Sequence, residues 1–235
     1  MPVALITGAS RGFGRALAAD LARDGWDLVI DARNETALDV AARELSATAP
    51  EARVTAIAGD IADAAHRERL VAASRALGGL DLLVNNASVL GPSPQPTLDA
   101  YPLDVLEAVF RVNVVAPLGL VQQALPLLIE SSGTIVDITS DAAVEGYEGW
   151  GGYGASKAAL EQLSNVLAAE QEKSGVRVYW FDPGDMRTQM HQEAFPGEDI
   201  SDRPLPETVV PRLRALLRDS RPSGRYRASD FEAVA

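Results

Sequence analysis

A chain of 235 residues, 47% of them hydrophobic, carries enough apolar side chain to bury one sizeable core. Its formal net charge of -12 sets up a surface that repels nucleic-acid phosphates and anionic lipid, so neither is a default partner; a small buried ligand is untouched by that argument. With no cysteine there is no disulfide, thiolate nucleophile or cysteine-held zinc, and two isolated histidines, His66 and His191, do not build a metal site.

Taken in chain order, short apolar runs alternate with longer amphipathic ones. The opening MPVALITGAS lacks the basic and long apolar regions of a signal peptide. Residues 3–7 (VALIT) read as a strand, 13–24 as a helix, 27–31 as a strand and 34–47 as a helix. The order repeats with strand 53–58, helix 63–77, strand 80–84, a long helix over 101–129, strand 133–139, helix 151–173 and strand 176–181. A helix near 206–219 and a short strand near 223–227 close the chain, and His66, in DAAHRERL, reads as an exposed helix residue. Strands separated by helix-length crossovers predict a single α/β domain over 1–235: a doubly wound parallel sheet of Rossmann type, about seven strands, with helices on both faces. Two stretches break the helical pattern after strand ends, 90–102 and 185–205, and both are predicted pocket walls, the second a substrate loop or lid. No uninterrupted apolar run approaches the ~20 residues of a membrane-spanning helix. The expected setting is the cytoplasm.

TGASRGFG sets Gly8, Gly12 and Gly14 between the first strand and the first helix, where bare backbone amides can approach a pyrophosphate at the positive helix end. The same glycines also serve an ordinary tight turn; their place after strand one favours the nucleotide. The second strand ends DLVIDARN, and its signals conflict. Asp31 suits a free ribose 2′-hydroxyl, whereas Arg33 suits a 2′-phosphate. Arg11 adds a second cation, which favours NADP(H) over NAD(H); the competing reading is a solvated Arg33 at a strand end.

In YGASK, Tyr153 and Lys157 fall one turn apart on one helix face. A free phenol has a pKa of about 10, and ionising it near neutrality takes ~4 kcal/mol of differential stabilisation. A lysine in a low-dielectric cleft, joined by a cationic nicotinamide, supplies that; a lysine in water does not. Alone, the spacing equally describes a buried aromatic beside a solvated lysine. IVDITS adds Ser140 at the carboxyl edge of a strand, either a hydrogen-bond donor to a carbonyl oxygen or a capping serine.

Together, in this order, the motifs resemble the short-chain dehydrogenases/reductases in their compact single-domain form, over nearly the whole chain. TGASRGFG is similar to the family's cofactor turn, NNAS (85–88) to its NNAG element, and PGDMRT (183–188) to its Pro-Gly segment. Asn113 in VNVVAP, Ser140, Tyr153 and Lys157 match its catalytic positions. The resemblance implies Tyr153 as general acid/base, Lys157 lowering its pKa and binding the nicotinamide ribose, and Ser140 polarising the substrate carbonyl. Asn113 would hold a relay water through a main-chain kink. Gly8, Ser10, Arg11, Gly12, Phe13 and Gly14 would cradle the cofactor, with Arg33 on a 2′-phosphate and Asp60 and Ile61 at the adenine. Asn86, Ala87, Pro183, Gly184, Met186 and Thr188 would line the rest. Three departures stand out: Ser88 for glycine, SGRYRASDF for a glycine-rich ending, and the glycines and aromatics of GYEGWGGYG.

Leu90, Ala142, Val144, Tyr147, Trp150, Met186, Met190 and His191 are loop residues able to face a substrate, Tyr147, Trp150 and Met190 foremost with Ser140. They predict a small, hydrophobic carbonyl or alcohol. Small residues on the Tyr153 helix, with the family's habit, predict a homodimer or homotetramer. Two rival functions remain: a nucleotide-sensing protein without turnover, and a cofactor-dependent lyase or isomerase.

Overall fold

A computed structural model describes residues 1–231. Its strands are β1 (Val3–Ile6), β2 (Asp27–Ala32), β3 (Val54–Ala58), β4 (Leu82–Asn85), β5 (Thr134–Ile138), β6 (Arg177–Asp182) and β7 (Gly224–Arg227). They form one parallel sheet in the order β3-β2-β1-β4-β5-β6-β7. The chain order reverses between β1 and β4, and such a switch point opens a crevice at the strands' carboxyl ends. Ile6 pairs with both Ile30 and Val84, so the glycine-rich turn, the end of β2 and the NNAS stretch leave the sheet side by side.

Both faces of the sheet are covered, which explains strands that read as continuous apolar runs. Side chains alternate between faces. Ile6, Ile30, Val84 and Val136 meet Leu17 and Leu21 of α1 (Gly12–Arg23), Leu38 and Leu45 of α2 (Glu35–Thr48), and Leu213 and Leu216 of α8 (Pro206–Asp219). Leu5, Val29, Leu83 and Ile135 meet Leu70 of α3 (Ala64–Leu77) and Leu120, Ala124 and Leu127 of α5 (Ala116–Ser131).

Three elements differ from the sequence-based expectation. The helix expected over 101–129 is α4 (Leu103–Phe110), a π-helical turn (Arg111–Val115) and α5. Pro117 has no N–H to give the Asn113 carbonyl four residues back, so the α-type bond is missing there. The run Leu103–Ser131 is long and apolar enough to cross a bilayer, but half of its most apolar window is buried within the domain. The helix carrying Tyr153, α6 (Gly151–Glu170), ends three residues early. Within 185–205 a short helix forms, α7 (Gln189–Ala194), because the Thr188 hydroxyl accepts a hydrogen bond from the His191 amide (3.2 Å) and caps it.

Candidate active site

One cleft of about 1240 Å³ runs along the carboxyl ends of the strands. At its floor Gly8 has φ 67, the left-handed region that favours glycine, and a Cβ there would sit 2.9 Å from the Ala87 Cα. A Cβ on Gly14 would lie 2.5 Å from the Asn86 side-chain nitrogen. That nitrogen donates to the carbonyls of Thr7 (2.8 Å) and Gly8 (3.1 Å), so NNAS staples the glycine turn in place. α1 has no side-chain N-cap and no acidic residue in its first turn, which leaves its leading amides to whatever anion enters. Ser10, Arg11, Gly12 and Phe13 also line this part, although the Phe13 ring is 5% exposed and stacks on Phe181 in the core.

At the end of β2 the two competing residues separate. Arg33 is exposed, lines the cleft, and makes no hydrogen bond or ion pair among the described residues. Asp31 is 2% exposed; it accepts from the Gly8 amide (2.8 Å) and pairs with His66 Nε2 (2.9 Å). His66 is thus not the exposed helix residue expected from its polar surroundings: it is 0% exposed, pointing inward from α3. Asp60 caps the following turn by accepting from the Ala62 amide (2.9 Å), and with Ile61 it lines the cleft. Arg11 bonds the Gln189 side chain across the cleft.

At the other end stand Tyr153, Lys157 and Ser140, all lining the same cleft. Lys157 Nζ lies 5.5 Å from the Tyr153 ring centroid and donates to the Ile138 carbonyl (2.7 Å). Burial lowers the lysine to about 8, while the Asp137 and Glu161 carboxylates pull it back up. Burial pushes the Tyr153 phenol well above its ordinary value; the Ser88 hydroxyl lowers it, and the Asp182 and Asp141 carboxylates raise it further. In the protein alone, desolvation of the phenol therefore outweighs every downward influence. Ser140 Oγ donates to the Asp141 carboxylate (2.9 Å) and accepts from the Ala142 amide (3.2 Å), so it caps a turn while facing the cleft.

Asn113 sits at the π-helical turn, and its side chain is fully used. Its oxygen accepts from Val89 N (2.9 Å) and Ser88 Oγ (3.1 Å), and its nitrogen donates to Val89 O (2.9 Å) and Ser156 Oγ (3.0 Å). The side chain therefore clips the NNAS loop to α6, and only its main chain is left for a relay. Arg225 of β7 escaped the sequence reading. It donates to the Ser140 carbonyl (3.2 Å), Asp182 (3.2 Å) and Glu161 (3.0 Å), while Glu161 also accepts from Thr139 Oγ1 (2.7 Å). The departure SGRYRASDF thus braces the serine from below the site.

Pro183, Gly184, Met186, Thr188, Met190 and His191 line the facing wall with Ala194. Trp150 bridges to it, 5.8 Å from the Tyr153 ring and 5.7 Å from Phe195 by centroids. Leu90 and Ala142 pack on Tyr153, giving the reaction end an apolar lining. Tyr147 and Val144 do not face the cleft as expected. Tyr147 is 43% exposed, its hydroxyl 3.0 Å from both the Asp141 and Glu145 carboxylates. Among the described residues no cluster able to hold a metal ion occurs.

A family model described as short chain dehydrogenase matches residues 2–199. Sepiapterin reductase of Mus musculus is 39% identical over 203 residues, covering 82% of this chain and 77% of that protein. A short chain dehydrogenase structure from Pseudomonas syringae superposes with a TM-score of 0.90 at 33% identity, covering 97% of this chain and 94% of the other. One from Shigella flexneri, complexed with NADP, gives 0.89 at 31% identity with 97% of both chains covered. With the glycine turn, the Tyr153–Lys157 pair and Ser140 gathered in one cleft of a matching sheet, this chain belongs to the short-chain dehydrogenase/reductase family of oxidoreductases.

Proposed function

We propose that this protein moves a hydride between NADP(H) and the carbonyl or secondary alcohol of a small, hydrophobic molecule. The observation that carries the reading is the continuity of the cleft from the free cation of Arg33 to Tyr153. The residues present fit a phosphorylated dinucleotide. Uncapped amides of α1 suit the pyrophosphate, Arg33 and Arg11 the 2′-phosphate, Asp60 and Ile61 the adenine, and Pro183 to Thr188 the nicotinamide side. The NADP complex of the Shigella flexneri relative supports the same choice.

Nicotinamide supplies the hydride. Tyr153 hands its phenolic proton to the carbonyl oxygen during reduction and takes it back during oxidation. Ser140 orients that oxygen. Lys157, buried and anchored on the Ile138 carbonyl, draws the phenol toward ionisation and binds ribose. Burial leaves that phenol above its usual pKa, which keeps it in the protonated form that reduction requires. The Asn113 main chain, at the π-helical turn, continues the proton path toward solvent.

A panel of aromatic ketones, aldehydes and sepiapterin, followed by loss of NADPH fluorescence and repeated with NADH, tests the reading. NADPH consumed in equal amount with alcohol product is the expected result. Tight NADPH binding with no consumption across the panel would favour a sensor, and substrate conversion without net consumption a lyase or isomerase. Exposed Leu118 and Ile129 on α5 and Val166 on α6 support a homodimer or larger, which light scattering checks.

A further inference from the structure

The end of β2 carries an acidic residue of the kind that accepts a ribose 2′-hydroxyl and repels a 2′-phosphate. In this protein both carboxylate oxygens of Asp31 are already held by a donor inside the domain, and the side chain is 2% exposed. Oδ1 accepts from the Gly8 amide at 2.8 Å and Oδ2 meets His66 Nε2 at 2.9 Å. The other ring nitrogen of His66, Nδ1, lies 3.1 Å from Arg69 Nη2. A guanidinium only donates and a carboxylate only accepts, so these two neighbours fix the imidazole as the neutral tautomer with its proton on Nε2. Arg69, on the surface of α3, therefore reaches Asp31 through the ring. Room for the ring comes from Gly59, where a Cβ would fall 2.3 Å from His66 Nδ1.

Resting on the reading that the cleft takes a phosphorylated dinucleotide, we propose that Arg69, His66 and Asp31 form a buried strut that determines cofactor specificity. It withdraws the Asp31 carboxylate from the ribose and fixes the Gly8 amide, which leaves recognition of the 2′ position to Arg33. His66 is a positioning residue here: it touches neither cofactor nor substrate and acts through Asp31. The strut explains how an acidic residue at the end of β2 coexists with an unpaired arginine two positions on.

The test is the ratio of NADPH to NADH dissociation constants, read from reduced-nicotinamide fluorescence on the whole protein without substrate. In His66→Leu the freed carboxylate faces the ribose, and the preference for NADPH falls about tenfold, the size of one charge-assisted hydrogen bond. His66→Gln keeps an amide donor and holds the ratio within about threefold of wild type. Adding Asp31→Ser to His66→Leu removes the carboxylate and restores the ratio. A purely structural role would weaken both cofactors alike and leave the ratio unmoved, and that result in His66→Leu overturns the proposal. Should His66→Leu fail to fold, Asp31→Ser alone decides: a ratio within about threefold of wild type supports the strut, and a roughly tenfold rise or fall overturns it, a rise because the carboxylate would then have faced the ribose in the wild type. Wild type binding neither cofactor would overturn the underlying functional reading, a result distinct from an unmoved ratio.

Discussion

The two walls of the cleft are built differently. The wall formed by the sheet edge is held by buried and half-buried polar contacts: Asn86 on the glycine turn, Asn113 on the NNAS loop, Lys157 on Ile138, Arg225 under Ser140. The opposite wall, 185–205, is a two-turn helix tied down at a few points. These include the Ser93 hydroxyl on the Glu193 carbonyl (2.6 Å), the Arg11 guanidinium on the Gln189 side chain, and Phe195 against Trp150. The difference separates tasks. Proton transfer needs groups fixed to within fractions of an ångström, whereas substrate entry and release need a wall that yields.

The largest expected effect falls on the fixed wall. Tyr153→Phe removes one oxygen from a ring that stays packed against Trp150, Leu90 and Ala142. Turnover should fall by ~10²–10⁴, the usual contribution of a positioned acid/base, with NADPH affinity within about twofold of wild type. Steady-state kinetics beside a fluorescence titration measure both. Turnover within tenfold of wild type would remove Tyr153 from the mechanism.

Next comes Lys157, whose burial is a cost that pH can read. Its pKa in the folded protein is about 8, below the ordinary 10.5, so between those values the unfolded chain holds the extra proton. Folding is then increasingly favoured as pH rises from about 8 to about 10.5, and below that window the penalty is constant. Relative to Lys157→Met, wild type should gain ~3 kcal/mol of unfolding free energy across the window, measured by denaturant titration at a series of pH values. A flat difference would mean the ammonium is solvated and the fixed wall is not dry.

Much of the fixed wall was legible because its signals are local. A strand followed by TGASRGFG, or a tyrosine and lysine one turn apart, can be read in a single window of sequence. What the sequence hid depends on partners brought together by the sheet. Asp31 and His66 are 35 residues apart, and Arg225 lies 64 from Glu161 and 85 from the Ser140 carbonyl it holds. His66 sits among Asp, Arg and Glu, which reads as a solvated helix face; the absent Cβ of Gly59 is what admits the ring. Tyr147 looked like a pocket aromatic by type, yet two neighbouring carboxylates hold it outside.

Arg225 tests whether the long-range part of the fixed wall matters to catalysis. Arg225→Leu strips Asp182 and Glu161, whose side chains are 6% and 12% exposed, of their cation and frees the Ser140 carbonyl. Stability should drop by ~1–3 kcal/mol and turnover by about tenfold, with the Michaelis constant for NADPH unchanged. Arg225→Lys should recover stability better than turnover, because one ammonium cannot bond three oxygens in the guanidinium's planar array. If turnover follows stability in both variants, the arginine braces only the fold.

The smallest effect belongs to the yielding wall, and its smallness is the point. Gln189→Ala removes the side chain that meets Arg11 across the cleft, at an exposed position where substitutions usually stay within about 0.5 kcal/mol. Arg11 is then free for phosphate, so NADPH should bind as well as before or better, while the less tethered α7 raises the substrate Michaelis constant about two- to threefold. Turnover at saturation should not change, because none of Tyr153, Lys157 or Ser140 makes a hydrogen bond to the 185–205 segment. A tenfold loss of saturated turnover would make α7 part of the proton-transfer frame and erase the distinction between the two walls; an effect confined to the Michaelis constant would locate that distinction at the Arg11–Gln189 contact.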